Sequence, residues 1–219
     1  MLQYRLVPVT AYQQNCSIIW CDSTFDAAII DPGGDVDQLQ EEIAALSDEL
    51  GVKVTKILLT HGHMDHVGGT SALKAALGLP VIGPHKDDNF WIEALDMQAQ
   101  MMNFTPVEGF QPDRWLEHQD RVEVGELSLQ VLHCPGHTPG HVVFYQAESK
   151  LAFVGDVLFS GSIGRTDFPR GDHQQLLASI KTRLWPLGDD ITFIPGHGPL
   201  STFGQERRTN PYVADHRFG

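Results

Sequence analysis

The chain opens with three short stretches of β-forming residues, 2–9, 16–21 and 27–30, separated by the polar clusters 13–15 and 22–24, which read as turns. Asp31-Pro32-Gly33-Gly34-Asp35 breaks this pattern, and Asp35 stands where a helix N-cap is expected. Val36, Leu39, Ile43, Leu46 and Leu50 then recur at steps of three and four, one face of an amphipathic helix that Gly51 closes. The apolar run 54–60 predicts a buried strand, 70–77 a second helix ending at Gly78, 80–82 a strand and 87–102 another helix. Residues 104–119, with Pro106, Gly109 and Pro112, read as a long surface loop. Strand texture returns at 121–125, 127–132, 141–146 and 151–155, a helix covers 173–184, and a last strand lies at 191–194. Strands that first alternate with helices and later cluster imply an α/β arrangement of two sheets with helices outside. No repeat, low-complexity tract or linker interrupts residues 1–219, which read as one domain.

Composition narrows the class. With 42% hydrophobic and 20% charged residues, the chain has the means to build a core, and wholesale disorder is excluded. Apolar runs such as 151–154 fall far short of the ~18 residues a spanning helix needs. The start lacks the basic-then-apolar order of a secretory signal. Three unevenly spaced cysteines make no disulfide framework, so a cytoplasmic location is expected. Fifteen basic against 28 acidic side chains, a net −13, argue against nucleic acid or an anionic membrane as a partner. Eleven histidines are the feature that needs explaining, because histidine is the commonest metal ligand.

The sharpest cluster is His61-Gly62-His63-Met64-Asp65-His66, directly after the apolar run at 54–60. A loop at a strand's carboxyl end, where open α/β sheets place their sites, can aim His61 and His63 at one point and Asp65 and His66 at its neighbour. Three later residues recur in the same setting: His137 in the turn 134–141, Asp156 at the end of 151–156, and His197 in Pro195-Gly196-His197-Gly198. Glycines beside each let the backbone approach closely. Five histidines and two aspartates suffice for two metals and a bridge.

In this order, HxHxDH, PGHTPGH, VGD and PGHGP resemble the metallo-β-lactamase superfamily. The chain is most similar to its type II glyoxalases (hydroxyacylglutathione hydrolases) in their short bacterial form. The likeness runs from Ile30-Asp31-Pro32 through the stretch 164–171 to the stretch 206–211. It implies a four-layer αβ/βα sandwich, two mixed sheets face to face with helices on the outer sides. Carried over residue by residue, it implies a first metal at His61, His63 and His137, a second at Asp65, His66 and His197, and Asp156 as the bridging carboxylate. Two divalent metal ions are expected, zinc foremost, with iron or manganese possible at either site. The implied substrate is a small-molecule acyl-glutathione thioester such as S-D-lactoylglutathione, cleaved to a 2-hydroxy acid and glutathione. Cations ~3.5–4 Å apart share a hydroxide that attacks the carbonyl. A thiolate, with a conjugate pKa of ~8.5, leaves without a general acid, which suits a thioester better than an amide. Asp65 gains a second role in orienting the hydroxide, so Asp65 and Asp156 are the expected catalytic carboxylates.

The same resemblance gives Arg165 a contact to the glutathione part of the substrate; a surface pair with Asp167 or Asp172 is the alternative. Longer members follow this basic residue with a phenol, where this chain has Asp167, and add basic contacts from a C-terminal helical extension. Arg207 and Arg208 are the available substitutes here, or else ordinary surface charges. Cys134 reads as a small packing residue rather than a nucleophile. His133, His141 and Asp31 are either orienting partners of ligands or plain strand and turn residues. Gly33-Gly34 is not a phosphate loop, since no lysine follows at the required spacing. Residues 97–102 read as helix packing before substrate groove. The rival activities are a mononuclear-iron glutathione persulfide dioxygenase using His61, His137 and Asp156, and a lactonase or β-lactamase on the same hydroxide. A non-enzymatic scaffold would be expected to lack some of the seven ligands.

Overall fold

Period-two alternation along the strands sorts side chains between two faces, and each face finds a different partner. The structure is a computed structural model that describes residues 1–217. Its first sheet has the order β1 (Leu2–Val9), β2 (Gln14–Cys21), β3 (Asp26–Ile30), β4 (Lys53–Leu58), β5 (Val81–Ile82). The second runs β13 (Ser201–Thr202), β12 (Thr192–Pro195), β9 (Leu151–Gly155), β8 (Val142–Gln146), β7 (Leu127–His133), β6 (Arg121–Val124). A small hairpin, β10 (Leu158–Phe159) and β11 (Ser162–Ile163), stands apart.

Ile19, Ala28, Ile30 and Leu58 of the first sheet face Leu129, Val131, Phe144 and Phe153 of the second across a shared apolar layer. The alternate residues of the first sheet, Ile18, Ala27, Ile29 and Ile57, pack outward with α1 (Val36–Leu50), α3 (Thr70–Leu77) and α5 (Leu95–Met102). On the far side, Val143, Tyr145, Ala152 and Val154 pack with α6 (His173–Ser179) and α7 (Phe203–Thr209). Three buried apolar layers thus separate four layers of secondary structure, the expected αβ/βα sandwich. Among the described residues no helix is long and apolar enough to cross a membrane.

Strand direction determines where the chemistry falls. β3 and β4 are parallel, as are β9 and β12; β7 and β9, both antiparallel to β8, share a direction. The segments after β4, β7, β9 and β12 are those that carry His61, His137, Asp156 and His197.

The structure corrects several expectations. Asp35 does not cap α1: it sits in the left-handed region (φ 47°) and its carboxylate accepts from Thr10 N at 2.6 Å. Gly51 does close α1, with φ 76°. The helix expected at 87–102 is three pieces, a 3-10 turn (Lys86–Asp88), α4 (Asn89–Glu93) and α5, broken at Ala94. The helix expected at 173–184 ends as α6 and continues as a π-helical turn, Ile180–Leu184. Residues 104–119 are no mere surface loop, because Phe104, Val107, Phe110 and Trp115 pack on the core and Leu116 is fully buried.

Candidate metal centre

The buried strand expected at 54–60 is only half-buried over 54–56 and buried from Ile57 on. β4 delivers Thr60 and His61 to the sheet edge, and there the chain turns into a short helix, α2 (Met64–Val67). The expected loop is therefore half helical: His63 is the residue before α2, and Asp65 and His66 lie on it. This sharp reversal needs a close neighbour without a side chain. A Cβ on Gly33 would sit 1.7 Å from Asp65 O, so only glycine lets the 31–34 turn pack beneath α2. Gly196 plays the same part under Asp156, where a Cβ would meet Oδ1 at 2.1 Å.

All seven predicted residues converge. In four of the five histidines Nδ1 is placed by the surrounding protein, which leaves Nε2 as the inward-facing atom; His63 is the exception, its Nε2 having no partner. His61 Nδ1 lies 3.0 Å from Thr60 Oγ1. His137 Nδ1 donates to Arg165 O at 2.7 Å. His66 Nδ1 donates to Asp31 Oδ2 at 3.0 Å, and His197 Nδ1 to Tyr12 O at 3.1 Å. His63 turns Nδ1 toward His137 Nε2, 3.0 Å away. Asp156 lies between the two groups: Oδ1 is 3.3 Å from His66 Nε2, while Oδ2 is 3.6 Å from His137 Nε2 and 3.9 Å from His197 Nε2. Asp65 Oδ2 is 3.1 Å from His197 Nε2 and 3.9 Å from His66 Nε2.

The buried atoms His61 Nε2, His66 Nε2 and Asp156 Oδ1 have no hydrogen-bond partner. Orphaned lone pairs of this kind, gathered at one point, are what a divalent cation satisfies. Two triads have ligand atoms within 4.8 Å of one another, His61–His63–His137 and Asp65–His66–His197. The residues fit divalent metal ions. Asp31, His61 and His66 also lie close, but the Asp31 oxygens are already taken by Thr60 N (2.7 Å), Thr60 Oγ1 (2.5 Å) and His66. Asp31 thus orients the His66 imidazole, one of the two roles the sequence left open. His141 also serves from behind: its Nε2 accepts from Asp156 N at 3.0 Å and its ring stacks on His61.

The electrostatics divide the two triads. Burial, then the neighbouring imidazoles, hold His61 and His63 well below the usual histidine range, and burial lowers His137. Burial also works against charge on His66 and His197, yet Asp156 and Asp65 raise both. Burial opposes ionisation of Asp156 too, and His66 overrides it, holding that carboxyl well below its ordinary range.

Other predicted residues separate from the centre. Arg165 is exposed and makes a two-pronged pair with Asp167 at 3.0 and 2.8 Å, its guanidinium 4.6 Å from the Phe168 ring centre. The surface-pair alternative is therefore the one seen. Arg207 pairs with Asp189 and Asp215, and Arg208 bonds Gln205. Cys134 is buried, and burial pushes its thiol up to about 12. His133 donates to Pro139 O and stacks on His85. Met97 and Met101 are exposed rather than packed.

Four residues around the centre escaped sequence reading. Trp91 and Phe168 place their rings 4.6 and 4.9 Å from that of His63. Gln98 accepts from Met64 N and donates to Gly62 O. Asp88 is fully buried, and burial pushes its carboxyl up to about 6 despite its three donors. Asp88 and Gln98 carry no sequence signal, since 87–102 reads as one helix and neither residue stands in a motif.

Residues 9–197 match the metallo-beta-lactamase superfamily, and the chain belongs to it as a metallo-hydrolase. Over 213 residues it is 47% identical to the hydroxyacylglutathione hydrolase GloC of Haemophilus influenzae, spanning 97% of this chain and 98% of that one. Among solved structures it resembles TTHA1623 in a di-iron-bound form, with a TM-score of 0.83 and 40% identity over 95% of this chain and 100% of that one. It also resembles the BLEG-1 B3 metallo-beta-lactamase, with a TM-score of 0.86 and 36% identity over 96% and 99% of the two chains.

Proposed function

We propose that this enzyme hydrolyses the thioester of an S-(2-hydroxyacyl)glutathione, such as S-D-lactoylglutathione, to a 2-hydroxy acid and glutathione. It does so with two divalent cations, zinc foremost, held by His61, His63 and His137 and by Asp65, His66 and His197, with Asp156 between them. The observation that carries this reading is the inward convergence of these seven side chains around Asp156. The name of the full-length relative in H. influenzae supports the substrate class. Cations in these positions would polarise the substrate carbonyl and bring the deprotonation of water near neutral pH.

The chain's own residues do the rest. Asp65 turns Oδ2 to His197 and offers its other oxygen to hold the attacking water in line. Trp91 and Phe168 wall the His63 side with apolar rings and keep bulk water from it. Arg165 receives a carboxylate of the glutathione part, which has to displace Asp167 from the guanidinium. The departing thiolate, with a conjugate pKa of ~8.5, needs no proton from the protein. The three unpaired cysteines suit a glutathione-rich cytoplasm as the place of action.

Metal-replete protein should turn over S-D-lactoylglutathione, followed as loss of thioester absorbance. Absence of turnover with two metals bound would refute the assignment. Hydrolysis of a β-lactam or lactone instead, or oxygen uptake with glutathione persulfide, would assign the site to one of the rival activities.

A further inference from the structure

We infer that Asp88 is the positioning residue of the His61–His63–His137 triad, a buried carboxylate that ties together the two chain segments from which these three histidines come. It lies at the end of the 3-10 turn Lys86–Asp88, outside both ligand segments and remote from them in sequence. Its Oδ2 accepts from Gly62 N at 2.8 Å, the peptide between His61 and His63, and from Thr138 Oγ1 at 2.8 Å, the residue after His137. Its Oδ1 accepts from Gly140 N at 2.5 Å. One side chain therefore grips the segment after β4 and the segment after β7 at once.

The surroundings make this grip rigid. His85 N donates to Gly140 O at 3.0 Å, so the 3-10 turn holds both polar groups of Gly140. A Cβ on Gly140 would lie 2.5 Å from Asp88 N, and one on Gly62 2.7 Å from Trp91 Cβ; both segments are seated directly on the 85–91 backbone. Gln98 completes the clamp by taking Gly62 O and Met64 N, which pins the peptides on both sides of His63. Nothing in this set touches Asp65, His66 or His197. Those residues are held by Asp31 and by Tyr12 O. Asp88 and Gln98 thus hold the segments of the first triad directly, whereas Asp31 holds His66 directly and reaches His61 only through Thr60 Oγ1.

Because Asp88 bonds the segments of the first triad and no residue of the second, its loss acts first on the His61–His63–His137 position. An asparagine keeps the shape but has one acceptor oxygen for donors on both sides. Its amide group then faces either Gly140 N–H or the Gly62 N–H and Thr138 pair, and the segment so opposed moves away. Disturbing the support behind a metal ligand typically costs about 10- to 100-fold in affinity. Thr138→Val removes one of the three donors and leaves the carboxylate in place, so its effect is smaller and of the same kind.

The inference rests on reading the seven residues as metal ligands, and not on the substrate. Its test is Zn²⁺ affinity, measured on the full chain by competition with a chromophoric chelator, in two backgrounds. His197→Ala isolates the first triad and His137→Ala isolates the second. Asp88→Asn should weaken binding 10- to 100-fold in the His197→Ala background and change it less than threefold in the His137→Ala background. Thr138→Val should show the same selectivity at a few-fold, and it carries the test if Asp88→Asn does not fold. Equal losses in both backgrounds would show a general structural role and overturn the inference, as would no loss in either. A wild-type protein that binds no Zn²⁺ would overturn the reading of the centre itself, a result distinct from both.

Discussion

Replacing Asp31 by asparagine removes one charge from behind His66 at constant size, and the hydrogen bonds around it determine the effect on metal binding. Asp31 Oδ1 accepts from Thr60 N, while Oδ2 accepts from Thr60 Oγ1 and from His66 Nδ1. An asparagine keeps its oxygen toward the Thr60 peptide, because the Thr60 hydroxyl can reverse its own hydrogen and accept from the amide. His66 has no such freedom. Facing an NH₂ group, its Nδ1 becomes the acceptor and the proton moves to Nε2, the atom that faces Asp156 at 3.3 Å and that a cation needs. The lost bond is a charge-assisted one, worth about 1.5–3 kcal/mol, or roughly 10- to 150-fold in affinity. Zn²⁺ binding to Asp31→Asn in a His137→Ala background should therefore weaken by about that factor, with a smaller loss in a His197→Ala background, which Asp31 reaches only through Thr60 Oγ1 beside His61 Nδ1. An affinity within threefold of the parent in the first background would refute the orienting role of Asp31.

The same geometry sets further outcomes. His66 and His197 are raised by Asp156 and Asp65 and hold protons that a cation must displace, whereas His61, His63 and His137 are held low by burial and are already free. Lowering the pH from 8 to 6 should thus empty the Asp65–His66–His197 position first, with affinity falling about tenfold per pH unit for each displaced proton; parallel loss at both positions in a titration would contradict this. Cys134→Ala should leave turnover within twofold of wild type, since a thiol pushed up to about 12 is no nucleophile at neutral pH, and should cost about 1 kcal/mol in urea unfolding. Arg165→Ala should raise KM for the glutathione thioester about tenfold at unchanged kcat, the expected loss of one charge-assisted contact in uniform binding. An unchanged KM would leave Arg165 as the partner of Asp167 alone.

What could be read in advance depended on how local the physics was. The helix at 36–50 was legible because its apolar face and Gly51 lie within its own residues, and the seven side chains because HxHxDH and three glycine-flanked partners are short, dense patterns. Asp35 misled because its capping chemistry was claimed by Thr10 N, a partner 25 residues away. Residues 87–102 misled because the chain there must bend to put Asp88, Trp91 and Gln98 against the same ligand segment. Residues 104–119 looked like a surface loop because their aromatic residues have no period, although Phe104, Phe110 and Trp115 pack on the core. The supports of the centre were invisible for a related reason. Asp88, Gln98 and Asp31 act through partners 26 to 52 residues away, and no spacing rule reaches that far.

The central claim, a two-cation centre that cleaves a glutathione thioester, is tested most directly by elemental analysis of the purified protein coupled to S-D-lactoylglutathione hydrolysis before chelation, after chelation, and after metal is returned. The protein should carry two divalent metal equivalents per chain, lose turnover on chelation, and recover it on reloading in step with the second equivalent. Full turnover by metal-free protein, or none by protein carrying both equivalents, would contradict it.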